Sequence, residues 1–377
     1  MSGLVQLIAR GPEDEHLSGS PNTSFFKTKF TKYSQFSSSV LRQTPEGTPQ
    51  ASGMSTIKID RKGDFLNYIY LTAQDSTGLV TNIDWTSNVI DKTQLWIGSQ
   101  MIDEQDSVWN NNIEPVVGAS TPSQARLGPG ITGSSPGYNS NSFYPLKFFF
   151  CKNWESSLPL VALQFHETTL KIFWSKNLGI SPTGVSSASS YATLTYTLWS
   201  NYIYIDQAER DFITKNPQNL LITQVQRQLV PIIGNQMELY FSNPVKYLAF
   251  QSNSYSSVYA SGRSLNMKVQ INAVDVGDSM SLLQWVDVPQ YYHTPVGYSQ
   301  NVSNVAIVPF CLNTASLQPT GTLNFSRLSS FKLITPDNQT VNTLTLTADN
   351  PLQAYIYAVN YNFLWIEDGA GSLLYLT

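Results

Sequence analysis

Short stretches rich in β-branched and aromatic residues recur along the chain, and Gly, Pro, Asn and Asp separate nearly all of them. The first two stretches cover residues 54–60 and 65–72. They predict β-strands, because branched and aromatic side chains pack well on a half-buried pleated surface. Further strands are predicted at 158–174, 191–205, 221–232, 236–241, 245–251, 265–271, 305–311, 321–325, 340–347 and 353–362. Many short strands with turns between them predict an all-β sandwich or barrel.

The stretch 158–174 is long enough to predict a single extended strand. Successive side chains of a strand point to opposite faces of its sheet. One face would then carry Leu160, Ala162, Gln164 and His166, and the other would carry Val161, Leu163 and Phe165.

Helix signals are few. The segment 206–215 has an acidic start and a basic end, which suits a helix macrodipole, and Asp206 is a candidate cap. Pro217 follows and would end the helix. Because this segment lies near the middle of the chain, we interpret it as a linker between two β-domains. A second short helix is predicted at 280–285, as an insertion between strands.

Three stretches are too rich in Gly, Ser, Pro, Asn and Thr to form core strands, namely 44–53, 118–142 and 179–190. The longest of them, 118–142, is expected to be an exposed functional loop or a disordered one. All three lie in the first half of the chain, so that half should carry the larger loops between strands.

The chain has 377 residues and a mass of 42.0 kDa, which fits two β-domains. Charged residues make up only 13% of it, about half the usual share of roughly 25%. Either much of the surface packs against partners, or Ser, Thr, Asn and Gln fill the surface, and the two explanations are compatible.

The net charge is −4, and no basic run is longer than the pair Arg61 and Lys62. Sequence-specific or wholesale binding of nucleic acid is therefore not expected.

Candidate chemistry is sparse. The three histidines, His16, His166 and His293, and the two cysteines, Cys151 and Cys311, show no metal-ligand spacing, so no metal or cofactor is expected. Both cysteines are interpreted as buried free thiols, which favours a reducing compartment. No secretory signal or membrane span is expected. Three groups of carboxylates are interpreted as solvated loop charges and Gly369 to Gly371 as a turn, the carboxylates being Glu13 to Glu15, Asp103 with Glu104, and Glu367 with Asp368.

Several motifs follow one another in a recognisable order. The chain opens with a Leu-x-Gln-Leu start, a Leu-x-Gly-x-Pro stretch and a Phe-Phe-Lys, formed by Leu4, Gln6, Leu7, Gly11, Leu17, Gly19, Pro21, Phe25, Phe26 and Lys27. Later motif residues are Leu158, Pro159, His166, Glu167, Asn243, Pro244, Val245, Lys246, Pro319, Gly321, Asn324, Phe325, Ser326 and Arg327. Segments 202–211, 221–227 and 355–364 complete the series. Together they resemble the major capsid proteins of nucleocytoplasmic large DNA viruses, such as those of chlorella viruses and iridoviruses.

The resemblance implies a double jelly roll, that is, two consecutive eight-stranded jelly-roll sandwiches with few short helices. The expected divisions are an N-terminal arm at 1–24, a first jelly roll at 25–205, a helical linker at 206–220 and a second jelly roll at 221–377. The resemblance further implies a structural protein of the virion, assembled in the host cytoplasm. It would form a homotrimeric capsomer with a pseudo-hexagonal outline in an icosahedral shell.

Partners are also implied by the resemblance. They are neighbouring capsomers, together with minor capsid or penton proteins and an inner membrane, which the arm 1–24 would reach. The loop 118–142 is a candidate for contact with the host surface.

Two other function classes compete with a coat protein. One is a carbohydrate-binding or receptor-attachment β-sandwich, supported by the loop 118–142 and by scattered aromatics such as Trp109 and Tyr138. The other is a hydrolase on a jelly-roll scaffold, against which the lack of a histidine or carboxylate constellation speaks. Aromatics spread this evenly are more often core or interface residues.

Overall fold

The computed structural model describes residues 2–9, 11–81, 83–85, 89–119, 121, 124, 140–178, 191–231, 236–251, 266–295, 305–334 and 353–375. The chain divides into two compact units, Met1–Gln35 and Phe36–Thr377. The first unit contains helix α1 (Ser2–Ile8), a 3₁₀ turn (Pro12–Asp14) and helix α2 (Glu15–Ser18). Residues 36 onward belong to the second unit, in which most of the described regular secondary structure is β-strand.

Two facing sheets form the first half of the second unit. One sheet has the order β1-β11-β3, with β8 and β9 both beside β3, and the other has the order β2-β10-β5-β6. The strands are β1 Phe36–Gln43, β2 Met54–Ile59, β3 Phe65–Gln74, β4 Ile83–Asp84, β5 Ile90–Ile97, β6 Gln100–Asp106, β7 Ser140–Asn141, β8 Tyr144–Pro145, β9 Leu158–Pro159, β10 Thr168–Trp174 and β11 Thr195–Ile205. A separate small pair joins β4 to β7.

The second half repeats this plan. One sheet has the order β12-β20-β14-β17, with β18 beside β14 and β21 beside β20, and the other has the order β13-β19-β15-β16. The strands are β12 Gln218–Pro231, β13 Gln236–Glu238, β14 Pro244–Gln251, β15 Asn266–Ile271, β16 Val274–Ser281, β17 Val305–Pro309, β18 Leu323–Asn324, β19 Phe331–Ile334, β20 Gln353–Glu367 and β21 Ala370–Leu373.

Within the described residues, each half has eight main strands in the same spatial order. The first, eighth, third and sixth strands form one sheet, and the second, seventh, fourth and fifth form the other. This is the jelly-roll order, so the predicted fold class, a double jelly roll, is confirmed. No helix of the described residues is long and apolar enough to cross a membrane.

Alternation along the strands explains how each sandwich forms. In β10 every second residue is buried, and Leu170, Ile172 and Trp174 point into the core of the first jelly roll. Their neighbours Lys171 and Phe173 are only half-buried, on the outer side of the sheet. A one-residue slip would exchange the two faces, so this core fixes the register of β10 against β2 and β5.

Where the structure describes the second unit, two helices of more than eight residues interrupt the β-structure. Helix α4 (Gln207–Lys215) lies between the jelly rolls, and the Asp206 carboxylate accepts a hydrogen bond from the amide of Gln207 at 2.8 Å. This confirms the predicted helix and its cap. Helix α5 (Leu282–His293) begins two residues later than the prediction of 280–285 and runs further. A capping box between Ser281 and Gln284 sets its start.

The predicted single strand at 158–174 is wrong. Only Leu158–Pro159 and Thr168–Trp174 are strands, and turns occupy the residues between them. The amides of Ala162 and Leu163 donate to the carbonyls of Pro159 and Leu160, at 3.2 Å each. These local turn bonds replace a strand ladder. The predicted two-face alternation of residues 160 to 166 therefore does not occur.

Some elements escaped prediction altogether. Strands β1 and β6 are polar, and β1 contains three consecutive serines from Ser37 to Ser39. Both are strands because of their pairing: β1 pairs with β11, which is distant in the sequence, and β6 forms a hairpin with β5, from which only Gly98 and Ser99 separate it. The predicted strand 340–347 lies outside the described residues, as do most of the loops 118–142 and 179–190.

Candidate functional site: the junction between the two jelly rolls

Strand β6 of the first jelly roll carries a row of buried polar side chains to the edge of the second. Asp103 accepts a hydrogen bond from the backbone amide of Val225 in β12 at 2.9 Å. Its other carboxylate oxygen accepts from Gln105 Nε2 at 2.8 Å. In the opposite direction, Gln224 donates through Nε2 to the carbonyl of Ile102. The two jelly rolls therefore exchange hydrogen bonds directly from strand to strand.

Burial changes the acidity of Asp103. It raises the pKa of this carboxyl to about 7, although hydrogen bonds from Val225 and Gln105 act against the shift. Asp103 was interpreted from the sequence as part of a solvated loop pair with Glu104, and this interpretation is wrong. Asp103 is buried within β6, and Glu104 is half-buried beside it.

The carboxylate of Asp106 joins the two jelly rolls at one point. One oxygen accepts hydrogen bonds from Arg227 Nη1 at 2.8 Å and from the Tyr357 hydroxyl at 2.7 Å, both in the second jelly roll. The other oxygen accepts from the amide of Trp109 at 2.8 Å, in its own jelly roll. Burial, and then the nearby carboxylate, raise the pKa of Tyr357, so this phenol stays protonated and donates.

The segment after Asp106 leaves its own jelly roll and covers the other. It forms a π-helical turn (Trp109–Ile113) and helix α3 (Glu114–Val117). Its apolar residues pack on the outer face of the β12-β20-β14-β17 sheet and form a third hydrophobic cluster. That cluster contains Trp109, Ile113, Val116 and Val117 from the first jelly roll and Tyr247, Ala249, Val305, Ile307, Cys311, Tyr357 and Val359 from the second.

An ion pair fixes this helical segment to its own jelly roll. The Glu114 carboxylate is buried and lies 2.7 Å from Lys147 Nζ and 3.9 Å from Lys152 Nζ. Burial alone would raise the pKa of Glu114, but the two ammonium groups outweigh it and hold the pKa below its usual value. A buried charge with two partners is costly to leave unpaired, so the position of α3 is well determined.

The second jelly roll returns a segment to the first. Leu364, Ile366 and Leu373 of the β20–β21 hairpin are part of the main core cluster of the first jelly roll. The hairpin turns at Gly369, which has a φ of 80° and whose carbonyl accepts from the amide of Phe165 at 2.9 Å. The turn consists of Asp368 and Gly369, whereas Ala370 and Gly371 belong to strand β21, so the predicted turn at Gly369 to Gly371 is right only at its first residue.

The motif residue His166 contributes to this second crossing, whereas its neighbour Glu167 bonds within the first jelly roll. His166 Nδ1 lies 3.0 Å from the carbonyl oxygen of Gly371 and 3.2 Å from its amide nitrogen, so the tautomer decides which bond forms. The Glu167 carbonyl accepts from the amide of Gly98 at 2.8 Å. A Cβ at Gly98 would lie 3.0 Å from the His166 ring. His166 is therefore a positioning residue between the jelly rolls, in a turn rather than a strand.

Two motifs that are far apart in the sequence meet in the second jelly roll. Pro244 pairs with Asn324, and Val245 pairs with Leu323. The Asn243 carbonyl accepts from the amide of Phe325 at 3.1 Å, and its amide donates to the Ser326 hydroxyl at 2.9 Å. Asn243 has a φ of 66°, which Asn tolerates better than most residues.

The motif glycine Gly321 is required by a close approach. Its φ is 133°, and a Cβ there would lie 2.6 Å from the carbonyl oxygen of Phe310. Pro319 and Arg327 at the ends of this motif are exposed.

The buried side chain of Lys246 anchors a neighbouring loop of the second jelly roll. Its ammonium donates to the carbonyls of Thr314 at 3.0 Å and Ser316 at 3.1 Å, and lies 5.2 Å from the centre of the Tyr361 ring. Burial lowers the pKa of Lys246 to about 8. The side chain thus secures a loop by charge-assisted bonds and takes part in no described cluster of reactive groups.

The remaining motif residues lie elsewhere. Leu158 and Pro159 pair with Leu66 and Phe65 at the edge of the first jelly roll. The N-terminal motif residues belong to the unit 1–35, in which Leu4, Leu7, Gly19, Pro21, Phe25, Phe26 and Lys27 are exposed and Gln6 lies in α1.

Reactive groups are scarce where the structure describes the chain. No group of three or more His, Cys, Asp or Glu there could hold a metal ion. Cys151 and Cys311 are free, as predicted, although Cys151 is only half-buried as a residue. Burial raises the pKa of both thiols, which disfavours the reactive thiolate. Trp109, a candidate for stacking on sugar, is fully buried, and Tyr138 lies outside the described residues.

Comparisons with known proteins agree with this architecture. Residues 24–206 match a family model described as the major capsid protein N-terminus, and residues 209–372 match one described as the large eukaryotic DNA virus major capsid protein. The chain is 29% identical to the major capsid protein of Pyramimonas orientalis virus and 27% identical to that of Paramecium bursaria Chlorella virus 1. Each alignment covers 99% of both chains.

Solved structures show the same fold. The crystal structure of PBCV-1 VP54, fitted into a reconstruction of the virophage Sputnik, superposes with a TM-score of 0.73 at 24% identity, covering 94% of this chain and 100% of that one. The Faustovirus major capsid protein superposes with a TM-score of 0.64 at 10% identity, covering 95% and 94%.

The acidity of Asp103 gives a testable pH dependence. Its folded pKa of about 7 lies above the ordinary 3.8, so ionisation disfavours the folded state. Its contribution to stability is full below about pH 4 and is lost as the pH rises through about 7. Asp103→Asn keeps an acceptor for the Val225 amide but cannot ionise. We expect the variant to gain stability over the native protein across this range, by at most about 4 kcal/mol.

Urea unfolding at several pH values measures this difference. Asp278→Asn, at an exposed carboxylate on β16, is the matched control and should follow the native protein. A constant difference between Asp103→Asn and the native protein from pH 4 to pH 7 would contradict the assignment.

Truncation of Trp109 tests whether the third cluster holds the jelly rolls together. Trp109→Ala should lower the free energy of unfolding by about 3–5 kcal/mol, because it leaves a cavity at the junction. Trp154, which is 64% exposed, supplies the matched control, and its replacement by Ala should change stability by about 0.5 kcal/mol or less. Calorimetry would measure both, and equal effects of the two changes would argue against the junction.

Proposed function

The chain belongs to the major capsid protein family of large eukaryotic DNA viruses, and on that premise we propose that three copies associate into one capsomer with a pseudo-hexagonal outline. Such capsomers tile the faces of an icosahedral shell in a hexagonal lattice. The protein is then a component of the virion. Its production and assembly in the host cytoplasm belong to the same proposal.

The fixed junction is the observation that carries this proposal. Each chain offers two sandwiches with one strand order, and segments exchanged in both directions hold them in one relative orientation. A threefold axis that relates three such chains places six similar sandwiches around it. A flexible linker between the jelly rolls would not support a regular outline, whereas two shared hydrophobic clusters and a shared carboxylate do.

The amino-acid composition supports association of the chain with neighbouring copies. Only 13% of the residues are charged, and several of them, including Asp103, Glu114 and Lys246, are buried at or near the junction. The surface is therefore even poorer in charge than the composition suggests. Interface cores are depleted of charged residues, so neighbouring copies are suitable partners for such a surface.

We infer that the role of the protein is structural and not catalytic. We also infer that the shell encloses the genome without binding it specifically. The buried thiols with raised pKa values and the bonded junction carboxylates all have structural partners. The net charge of −4 does not favour extensive phosphate contacts. The host-contact hypothesis for the loop 118–142 remains a prediction.

We retain the divisions 1–24, 25–205, 206–220 and 221–377 as part of the proposal, with the first strand of the first jelly roll starting at Phe36 and that of the second at Gln218, inside the proposed linker. The arm 1–24 carries exposed Leu4, Val5, Leu7 and Ile8 on helix α1, a short apolar stretch ahead of an acidic one. We assign this arm to the inner side of the capsomer, toward minor capsid or penton proteins or an inner membrane.

The mass in solution tests the trimer. Light scattering after size exclusion should give about 126 kDa, three times the chain mass of 42.0 kDa, with hexagon-outlined particles in negative stain. A protein that stays at the mass of one chain at micromolar concentration would count against the proposal and would make glycan-array binding the next measurement.

Deletion of residues 2–24 tests the arm. The trimer should persist with unchanged mass and thermal stability, because the jelly rolls begin at Phe36, while shell assembly should be impaired. The full-length chain, assembled in parallel with the same viral components, is the control. Loss of all soluble protein on deletion, or unimpaired assembly, would be the contrary result.

A further inference from the structure

The helical segment that forms the junction inside the chain has a structural counterpart elsewhere in the same chain. In a single copy, an apolar stripe of this counterpart stays exposed. The segment that covers the second jelly roll follows the fifth strand of the first jelly roll, β6. Helix α5 follows the fifth strand of the second jelly roll, β16. Both segments precede the sixth strand of their jelly rolls, so they occupy equivalent places in the two repeats.

The two helical segments start in the same way. Asp106, the last residue of β6, accepts a hydrogen bond from the amide of Trp109, three residues on. Ser281, the last residue of β16, accepts from the amide of Gln284, also three residues on. The two caps therefore align the segments residue by residue over their first turn.

Counting from these caps, an exposed stripe on α5 corresponds to the buried face of the first segment. Ile113, Val116 and Val117 are buried against the second jelly roll. The equivalent residues on α5 are Val288, Tyr291 and Tyr292, which are 47%, 79% and 72% exposed. The correspondence is one of sequence position counted from the caps, because the π-helical turn in the first segment rotates its later residues relative to those of an α-helix.

The stripe is not needed to hold α5 on its own jelly roll. The adjoining face of the helix, with Leu282, Trp285, Val286 and Pro289, is buried, and the first three of these belong to the core cluster of the second jelly roll. The helix is thus anchored along one face and presents the exposed apolar stripe beside it.

The receiving surface also has a counterpart. Across the outer face of the second jelly roll, paired residues on β12, β20, β14 and β17 form the row Arg227, Tyr357, Ala249 and Ile307. This is the row on which Asp106 and Trp109 dock. Paired residues on β1, β11, β3 and β8 of the first jelly roll form the equivalent row Arg42, Trp199, Tyr70 and Pro145.

Aromatic side chains shape the second of these surfaces. Tyr70 stacks on Trp199 with ring centres 6.4 Å apart and meets Phe143 edge to face at 5.9 Å. Beside them lies a cavity of about 580 Å³, whose lining includes Tyr68, Tyr70 and Phe143. A cavity of this size with aromatic walls suits an aromatic side chain such as that of Tyr291.

From this correspondence we propose that the α5 stripe Val288, Tyr291 and Tyr292 of one copy docks on the Trp199–Tyr70 face of the first jelly roll of the next copy around the axis. The inference rests on the proposed trimer and names its contact surfaces. The contact made once inside each chain is repeated between chains, so that all six sandwiches meet through similar surfaces.

Two differences distinguish the two contacts. Ser281 occupies the place of Asp106, so the contact between copies lacks the carboxylate that binds Arg227 and Tyr357 within the chain. Gln284 occupies the place of Trp109, so the ring that packs on Tyr357 has no counterpart there, and the docking between copies depends on the α5 stripe.

Site-specific photo-crosslinking of the full chain tests the proposal. Benzoylphenylalanine at position 291 should crosslink within the trimer to a peptide from β3 or β11 of another copy. The product should migrate as a two-chain species on a denaturing gel, and mass spectrometry would identify the peptide. The same group at position 240, where Tyr240 is 70% exposed outside the stripe, is the matched control and should not label those strands.

The outcomes separate this inference from the trimer itself. A crosslink from position 291 to β3 or β11 of another copy supports it. A trimer in which position 291 labels other segments, labels only its own chain or labels nothing overturns the docking and leaves the capsomer intact. A chain that never forms a trimer overturns both.

A second measurement does not depend on crosslinking. The double change Tyr291→Lys and Tyr292→Lys should weaken trimer association by about tenfold or more, because aromatic anchors at an interface core carry much of its affinity. The thermal stability of the dissociated chain should remain that of the native chain, since the stripe lies away from its core. Tyr240→Lys should leave association unchanged, and equal trimer stability for all three proteins would refute the docking.

Discussion

The carboxylate of Asp106 receives hydrogen bonds from both jelly rolls at once, and the arrangement of the whole second unit depends on it. Arg227 and Tyr357 reach it from one side and the amide of Trp109 from the other. A buried carboxylate that loses one partner is left with an uncompensated charge, at a cost of several kcal/mol. The two jelly rolls therefore have one favourable relative position, and small shifts would break two or three charge-assisted bonds together.

Hydrophobic packing also fixes the relative position of the two jelly rolls, because each contributes a segment that packs on the other. The helical segment after Asp106 supplies one side of the third hydrophobic cluster on the second jelly roll, and the β20–β21 hairpin supplies Leu364, Ile366 and Leu373 to the core of the first. Neither sandwich is complete without the other. The chain should accordingly unfold as one cooperative unit rather than as two independent domains, although its length would allow two.

Much of this fold could be predicted from local patterns, and the junction could not. Alternation and turn residues located most strands of the sandwiches, and Asp206 with Pro217 bounded helix α4. The stretch 158–174 failed because turn bonds near Pro159 divide it, which its alternation does not reveal. Asp103 and Asp106 resemble surface carboxylates in the sequence. Their partners, such as Val225 and Tyr357, lie more than a hundred positions away, so no local signal marks them as buried.

The motif residues and the assembly surfaces play different parts. Asn243, Lys246 and Gly321 fix turns inside the second jelly roll, and His166 fixes the crossing between the two. Within the chain, the buried carboxylate at position 106 finds its partners as soon as the chain folds. A carboxylate at position 281 would instead remain unpaired at the edge of an apolar face until another copy bound. With Ser281 there, the free subunit offers a neighbour an apolar stripe and an aromatic face beside Arg42, and assembly buries no carboxylate that was unpaired beforehand.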